Sequence, residues 1–167
     1  MLNIVKYIDI FNEWVGRIFS WAIIVLTLLA VLEVIERVVF NSPSTWGFEV
    51  ATQIFGLYFM IIAGYGLLYG SHVSIDVVTY YLSPRTRVIV DIVAYFIFFF
   101  PFTLVCIWHG YFFAAKSWAI KETSMSVYGG PIYPIRTVIF LAFILLFLQG
   151  LSEVTKKIVF LKGGKTS

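Results

Sequence analysis

Charged residues are scarce in this sequence. Asp, Glu, Lys and Arg make up 13% of its 167 residues, whereas a soluble domain carries about 25%. Hydrophobic residues make up 60%, and they lie in long uninterrupted blocks rather than in the alternating pattern of a membrane β-barrel. This composition excludes a soluble globular enzyme with a large core and predicts an all-α integral membrane protein.

Cysteine and the motifs of catalysis are also nearly absent. Cys106 is the only cysteine, which excludes an intramolecular disulfide, a CxxC redox pair and a thiolate metal cluster. The net charge of +3 is scattered, so no nucleic-acid partner is expected. His72 and His109 are predicted near opposite membrane faces, too far apart to bind one haem iron. The sequence therefore predicts no catalytic residue, no cofactor and no metal site.

Long apolar runs are abundant. Residues 50–71 hold twenty-two positions without one Asp, Glu, Lys, Arg or His, and about 20 apolar residues suffice for a helix to cross a bilayer core. With three further runs, the sequence predicts four spans within a single domain covering the whole chain. The predicted spans are about 16–38, 49–71, 87–116 and 134–156. Pro101 is predicted to kink the third span.

The basic residues of the connecting segments predict the orientation, because cytoplasmic loops carry an excess of Lys and Arg. Eight basic residues fall on the side of the two termini and four on the opposite side. The eight are Lys6, Arg17, Arg85, Arg87, Lys156, Lys157, Lys162 and Lys165; the four are Arg37, Lys116, Lys121 and Arg136. Both termini are therefore predicted in the cytoplasm.

The N-terminal segment has two interpretations. Ile4, Ile8, Phe11 and Val15 recur at helical spacing, with charged residues elsewhere on the helix. This pattern fits a short amphipathic helix lying at the membrane surface, anchored by Trp14. It fits a polar extension of the first span equally well.

Polar residues mark both ends of the second predicted span. Arg37, Trp46 and Glu49 lie at the outer end, and His72 and Asp76 at the inner end. We expect an Arg37–Glu49 ion pair, since a carboxylate within reach offsets the desolvation of arginine; the alternative is that each side chain extends separately to the interface. With no charge predicted near the midplane, a structural or partner-contact role is favoured over transport chemistry.

Small residues on the second span predict a packing face. Gly56, Ala63, Gly66 and Gly70 fall near one side of the helix. Small side chains let helices approach closely where lipid provides no hydrophobic driving force. This face is expected to pack against the rest of the bundle or against a partner.

The order and spacing of these motifs resemble the small membrane subunit of tripartite ATP-independent periplasmic (TRAP) transporters, the DctQ-like family. The resemblance covers about residues 14–155. Tyr133 stands where the family usually has tryptophan. The motifs are Arg37-x-x-Phe40-Asn41-(x)4-Trp46-x-x-Glu49, Gly70-x-His72-Val73-x-Ile75-Asp76, Ser117-x(4)-Glu122-Thr123-Ser124 and Pro131-x-x-Pro134.

The resemblance implies a scaffold subunit in a bacterial inner membrane. In this family a periplasmic binding protein delivers the substrate, usually an organic acid, to a membrane heterodimer. The large membrane subunit holds the substrate and sodium sites. The candidate contact or structural residues here are Arg37, Trp46, Glu49, His72, Asp76, Glu122 and Ser124. Arg85 and Arg87 are candidates for binding lipid head groups.

A second function remains open from the sequence. A four-span chain without chemistry of its own also fits a membrane anchor for a redox or signalling enzyme. The two functions differ in the partner that should co-purify: a large permease in the first case, a haem protein or flavoprotein in the second.

Overall fold

The computed structural model describes residues 2–42, 44–69 and 83–163, and these residues are overwhelmingly helical. We number the α-helices in chain order; a π-helical turn, Tyr95–Phe99, joins α4 to α5. The helices are α1 (Leu2–Ser20), α2 (Ala22–Val38), α3 (Gly47–Leu68), α4 (Pro84–Ala94), α5 (Phe100–Ala119) and α6 (Tyr133–Leu161).

Four helical segments are long and apolar enough to cross a membrane: Val5–Val38, Gly47–Leu68, Pro84–Ala119 and Tyr133–Leu161. The first combines α1 with α2, and the third combines α4, the π-helical turn and α5. The predicted all-α membrane fold with four spans is thereby confirmed. The predicted cytoplasmic location of both termini stays a prediction.

Helices α1 and α2 meet at Trp21. The main-chain N–H of Trp21 donates to Ile18, and that of Ile24 donates to Trp21, at 3.2 and 3.1 Å. Both bonds span three residues, so the helix tightens locally instead of stopping. Helix α1 packs on α3 and α6, and its Phe11 and Trp14 side chains are exposed. It thus docks on the bundle through a face that contains Val5, Asn12 and Gly16 and leaves Phe11 and Trp14 outside.

Helix α6 is the centre of the bundle, since it contacts α5, α3, α1 and α4. It runs antiparallel to α5, and aromatic side chains pair along the whole contact at centroid distances that favour edge-to-face or tilted geometry. The pairs are Trp118–Tyr133 (4.5 Å), Tyr111–Phe140 (5.9 Å), Phe102–Phe143 (6.3 Å) and Phe100–Phe147 (5.4 Å). Helix α2 lies at the periphery, beside α3.

Glycine allows the closest approaches between the described helices. A Cβ on Gly16 would overlap the Tyr65 ring, and one on Gly150 would overlap the Phe99 ring. By contrast, a Cβ on Gly56 would meet nothing within 4 Å. Gly56 was predicted to belong to a packing face together with Gly70, which lies outside the described residues. Gly56 thus has no close neighbour in the described part of the bundle, and its packing against a partner stays a prediction.

The distortion predicted at Pro101 is the π-helical turn that precedes it. Proline has no N–H, so the helix loses a main-chain donor at this position. In the π-helical turn the Phe100 N–H donates to Tyr95, five residues back. The buried Thr103 hydroxyl lies within hydrogen-bond distance of the Phe99 and Phe100 carbonyls, at 2.9 and 3.1 Å. Side-chain and π-type bonds therefore replace the regular pattern here.

We predict that Gly150→Leu destabilises the isolated chain strongly, because the new side chain must displace the Phe99 ring. Overpacking of this kind costs about 1–3 kcal/mol. Gly56→Leu is the matched control, since it adds the same side chain in open space. Thermal unfolding in mild detergent should show a lower midpoint for Gly150→Leu only. Equal midpoints for the two variants would contradict this packing.

Candidate partner-contact site

The hairpin loop, residues 120–132, joins α5 to α6 and defines what we call the loop end of the bundle. Main-chain bonds close it: Ser124 N donates to Gly130 O at 2.8 Å, and Ile132 N donates to Glu122 O at 3.0 Å. Thr123 and Pro131 form an isolated antiparallel bridge. The loop is therefore an ordered hairpin.

Glu122, a predicted site residue, ties the hairpin loop to α6. Its carboxylate accepts two hydrogen bonds from the Arg136 guanidinium, one of them at 2.6 Å. The same guanidinium lies 3.8 Å from the centroid of the Phe113 ring on α5. Bidentate pairing and ring stacking are both geometries that arginine favours. The pair thus joins the loop, α5 and α6 at one point.

Glu49 ties the hairpin loop to α3. It lies in the first turn of α3, where the helix dipole stabilises a carboxylate. It accepts hydrogen bonds from Gln53 at 3.2 Å and from the hydroxyl of Ser126 at the tip of the hairpin loop. Ser124, another predicted site residue, shapes that tip by accepting the Ser126 main-chain N–H at 3.2 Å. Glu49, Glu122 and Ser124 therefore act on one loop.

The predicted Arg37–Glu49 ion pair is wrong. Arg37 pairs with Glu33 at 3.0 Å, one turn earlier on α2, while Glu49 bonds to Gln53 and Ser126. The physical reason is proximity, because residues four apart on a helix are already neighbours. The Arg37 side chain remains 65% exposed. Trp46 is also exposed and directly precedes α3.

A cluster of buried and half-buried polar side chains that the sequence did not predict is the Asp9 network. Its members join α1 to α6 near the opposite end of the bundle: Asp9, Asn12, Gln149, Ser152 and Lys156. The Gln149 side chain is wholly buried; it donates to Asp9 at 2.9 Å and accepts from Asn12 at 2.8 Å. Ser152 and Lys156 also contact the Asp9 carboxylate, at 2.7 and 2.8 Å.

The Asp9 network also lies against α3, at Gly64. A Cβ on Gly64 would lie 3.0 Å from the Asn12 side-chain oxygen and 3.9 Å from the main chain of Leu145. Asp9 and Asn12 are three residues apart on α1, which places them on one face of that helix. On α6 the spacings are three and four residues, so Gln149, Ser152 and Lys156 also share one face. This spacing is the signal in the sequence that could have revealed the network.

Of the remaining predicted residues, Arg85 and Arg87 belong to neither cluster. Arg85 and Arg87 are exposed in the first turn of α4, which begins with Ser83 accepting the Thr86 N–H at 3.3 Å. His72 and Asp76 lie outside the described residues. Among the described residues, no group of three His, Cys, Asp or Glu side chains is placed to hold a metal ion.

We predict that Asp9→Ala lowers the stability of the chain, because Gln149, Ser152 and Lys156 lose their acceptor together. A buried donor without a partner costs about 1–3 kcal/mol. Arg17→Ala is the control, since the Arg17 side chain is 74% exposed and pairs with Glu13, and such surface pairs contribute little. Thermal unfolding in detergent measures both; an unchanged midpoint for Asp9→Ala would contradict the role of the network.

We predict that Glu122→Ala speeds tryptic cleavage after Lys121 at least tenfold, because bonds to a charged group contribute about 1.5–3 kcal/mol against local opening. Lys121 is exposed in the hairpin loop. Glu33→Ala serves as control, because it removes a carboxylate that pairs within α2 and not with the hairpin loop. Mass spectrometry of timed digests gives the rate, and an equal rate in both variants would refute the tether.

A comparison with protein families places most of this chain in one of them. The family model described as "Tripartite ATP-independent periplasmic transporters, DctQ component" matches residues 26–159. This range contains α3 to α5, most of α2 and α6, and the hairpin loop with both of its tethers. No curated protein matches the chain.

Proposed function

The chain belongs to the DctQ component family of tripartite ATP-independent periplasmic transporters, and on this premise we propose that it is a membrane scaffold subunit. It forms a single four-helix domain in the bacterial inner membrane and pairs with the large membrane subunit as a heterodimer. In this role it supports sodium-coupled uptake of an organic acid. The substrate and sodium sites belong to the large subunit.

The proposal is supported by the contacts that the buried polar groups make in the described part of the chain. Gln149 and Asp9 bond to side chains of the same bundle, and Lys156 pairs with Asp9 and Glu153. Lys157 pairs with Asp91, which joins α6 to α4. These groups hold helices together instead of lining a path for a substrate. That arrangement supports a scaffold over a carrier.

The hairpin loop supplies a surface for the periplasmic side. Its Met125 and Val127 side chains are almost fully exposed, although the loop is tied down by Glu49 and Glu122. Exposed apolar side chains on an ordered loop are typical of contact surfaces. With both termini in the cytoplasm, this loop meets the periplasmic binding protein or the outer face of the large subunit.

We predict that the tagged chain, expressed with its neighbouring genes and extracted in mild detergent, co-purifies with a large permease in equal amounts. Mass spectrometry of the eluate identifies the partner and its ratio to the chain. A parallel preparation with the tag on an unrelated four-span protein controls for non-specific capture. A haem protein or flavoprotein partner would contradict the proposal and favour a membrane anchor for a redox enzyme.

A further inference from the structure

His109 lies deep inside a membrane-spanning segment. It precedes Trp118 by nine residues, or about 14 Å along α5. Trp118 stacks on Tyr133 at the loop end, and such aromatic residues mark the boundary of the hydrocarbon core. A depth of about 14 Å is close to half of a core that is roughly 30 Å thick. His109 therefore lies near the bilayer midplane, deeper than the position close to one membrane face that the sequence predicted.

The His109 side chain points out of the bundle. It is exposed, and within the described part of the chain its ring nitrogens make no hydrogen bond. An ionisable side chain at this depth is costly in lipid, and in membrane proteins such groups nearly always face protein or a water-filled cavity. The outer surface of α5 at His109 is thus poorly suited to hydrocarbon.

His109 lines an open groove of about 480 Å³ between α5 and α6. The walls are largely aromatic and include Phe113 and Phe143, while Gly110 leaves part of the wall without a side chain. Lys116 lies at the end of the groove nearest the hairpin loop. From Cys106 to Lys116 the groove follows α5 for about 15 Å, which is enough for two to three turns of a second helix.

The side chains that line the groove favour a protein helix over a lipid as its occupant. An acyl chain offers no hydrogen bond to an imidazole, and a lipid head group would lie nearer Lys116, about 10 Å from the level of His109. The residues that line the groove include two basic ones, His109 and Lys116, and no acidic one, so the complementary surface carries acceptors. A helix of another membrane protein can present such a group at the required depth.

We propose that this groove receives a helix of the large membrane subunit, which places a hydrogen-bonding side chain against His109. The inference rests on the proposed function, because it takes the partner from there. It assigns the α5–α6 side of the bundle to the partner. Helix α2, on the far side of α3, then faces lipid.

Photo-crosslinking from α5 tests the location of the interface. A photoreactive amino acid replaces His109 in one variant and Leu104 in another, in cells that also express the large subunit. Leu104 is exposed as well, but lies about 140° away around the helix. We expect a crosslink to the large subunit from position 109 alone. Crosslinks from position 109 to lipid only, or from position 104 only, would overturn the inference.

Two substitutions test the hydrogen bond itself. His109→Leu should weaken the binding of the large subunit in detergent by roughly three- to fifteenfold, the range of measured intramembrane hydrogen bonds. His109→Gln should recover most of the loss. Both variants should unfold at or above the temperature of the original chain, because His109 contributes little to the isolated fold. Unchanged binding by His109→Leu would overturn the inference.

The same experiment separates this inference from its premise. If the original chain binds no large permease, the proposed function fails. If the original chain and His109→Leu bind the permease equally well, the proposed function stands and the groove is not part of the interface.

Discussion

The Gln149 side chain is the contact on which the arrangement of the helices depends most. It is wholly buried and bonds to Asp9 and Asn12 on α1. In a bilayer, apolar surfaces gain almost nothing by leaving lipid for protein, so helix association relies on close packing and polar contacts. An unpaired amide at this position would be unfavourable in lipid and in protein alike. The network therefore specifies how α1 docks, beyond adding stability.

The rest of the bundle follows the same rule. Glycine residues permit contacts that a side chain would block, as at Gly16 and Gly150, and aromatic pairs fill the space between α5 and α6. At the loop end, Arg136 and Glu49 bind the hairpin loop through hydrogen bonds that involve a charged group. The outcome is a firm framework with a largely apolar exterior. Such a framework is suited to supporting a partner in the membrane.

The sequence predicts the spans well, because a helix needs a long apolar run to cross a bilayer and the four runs are distinct. Glu122 and Glu49 were also identified as site residues, and both tether the hairpin loop. Pairing was harder to predict. Arg37 bonds to Glu33 instead of Glu49, since partners depend on how helices are rotated about their axes. Hydropathy carries no information on that rotation.

The Asp9 network was missed for a related reason. Asp9 lies in a segment whose helical pattern suggested an amphipathic surface helix, with its charged side turned toward water. In the structure that side faces Gln149 on α6. A polar residue in an apolar run shows that a partner is needed, but not which helix supplies it. The partner becomes evident only once the two helices are seen to cross.

The central claim is that this chain supports transport without carrying the substrate itself. Substrate uptake into proteoliposomes under a sodium gradient, with the loaded binding protein outside, tests it most directly. We expect no uptake with this chain alone, little with the large subunit alone, and full uptake when both are reconstituted together. Uptake by this chain alone, or full uptake by the large subunit without it, would contradict the account.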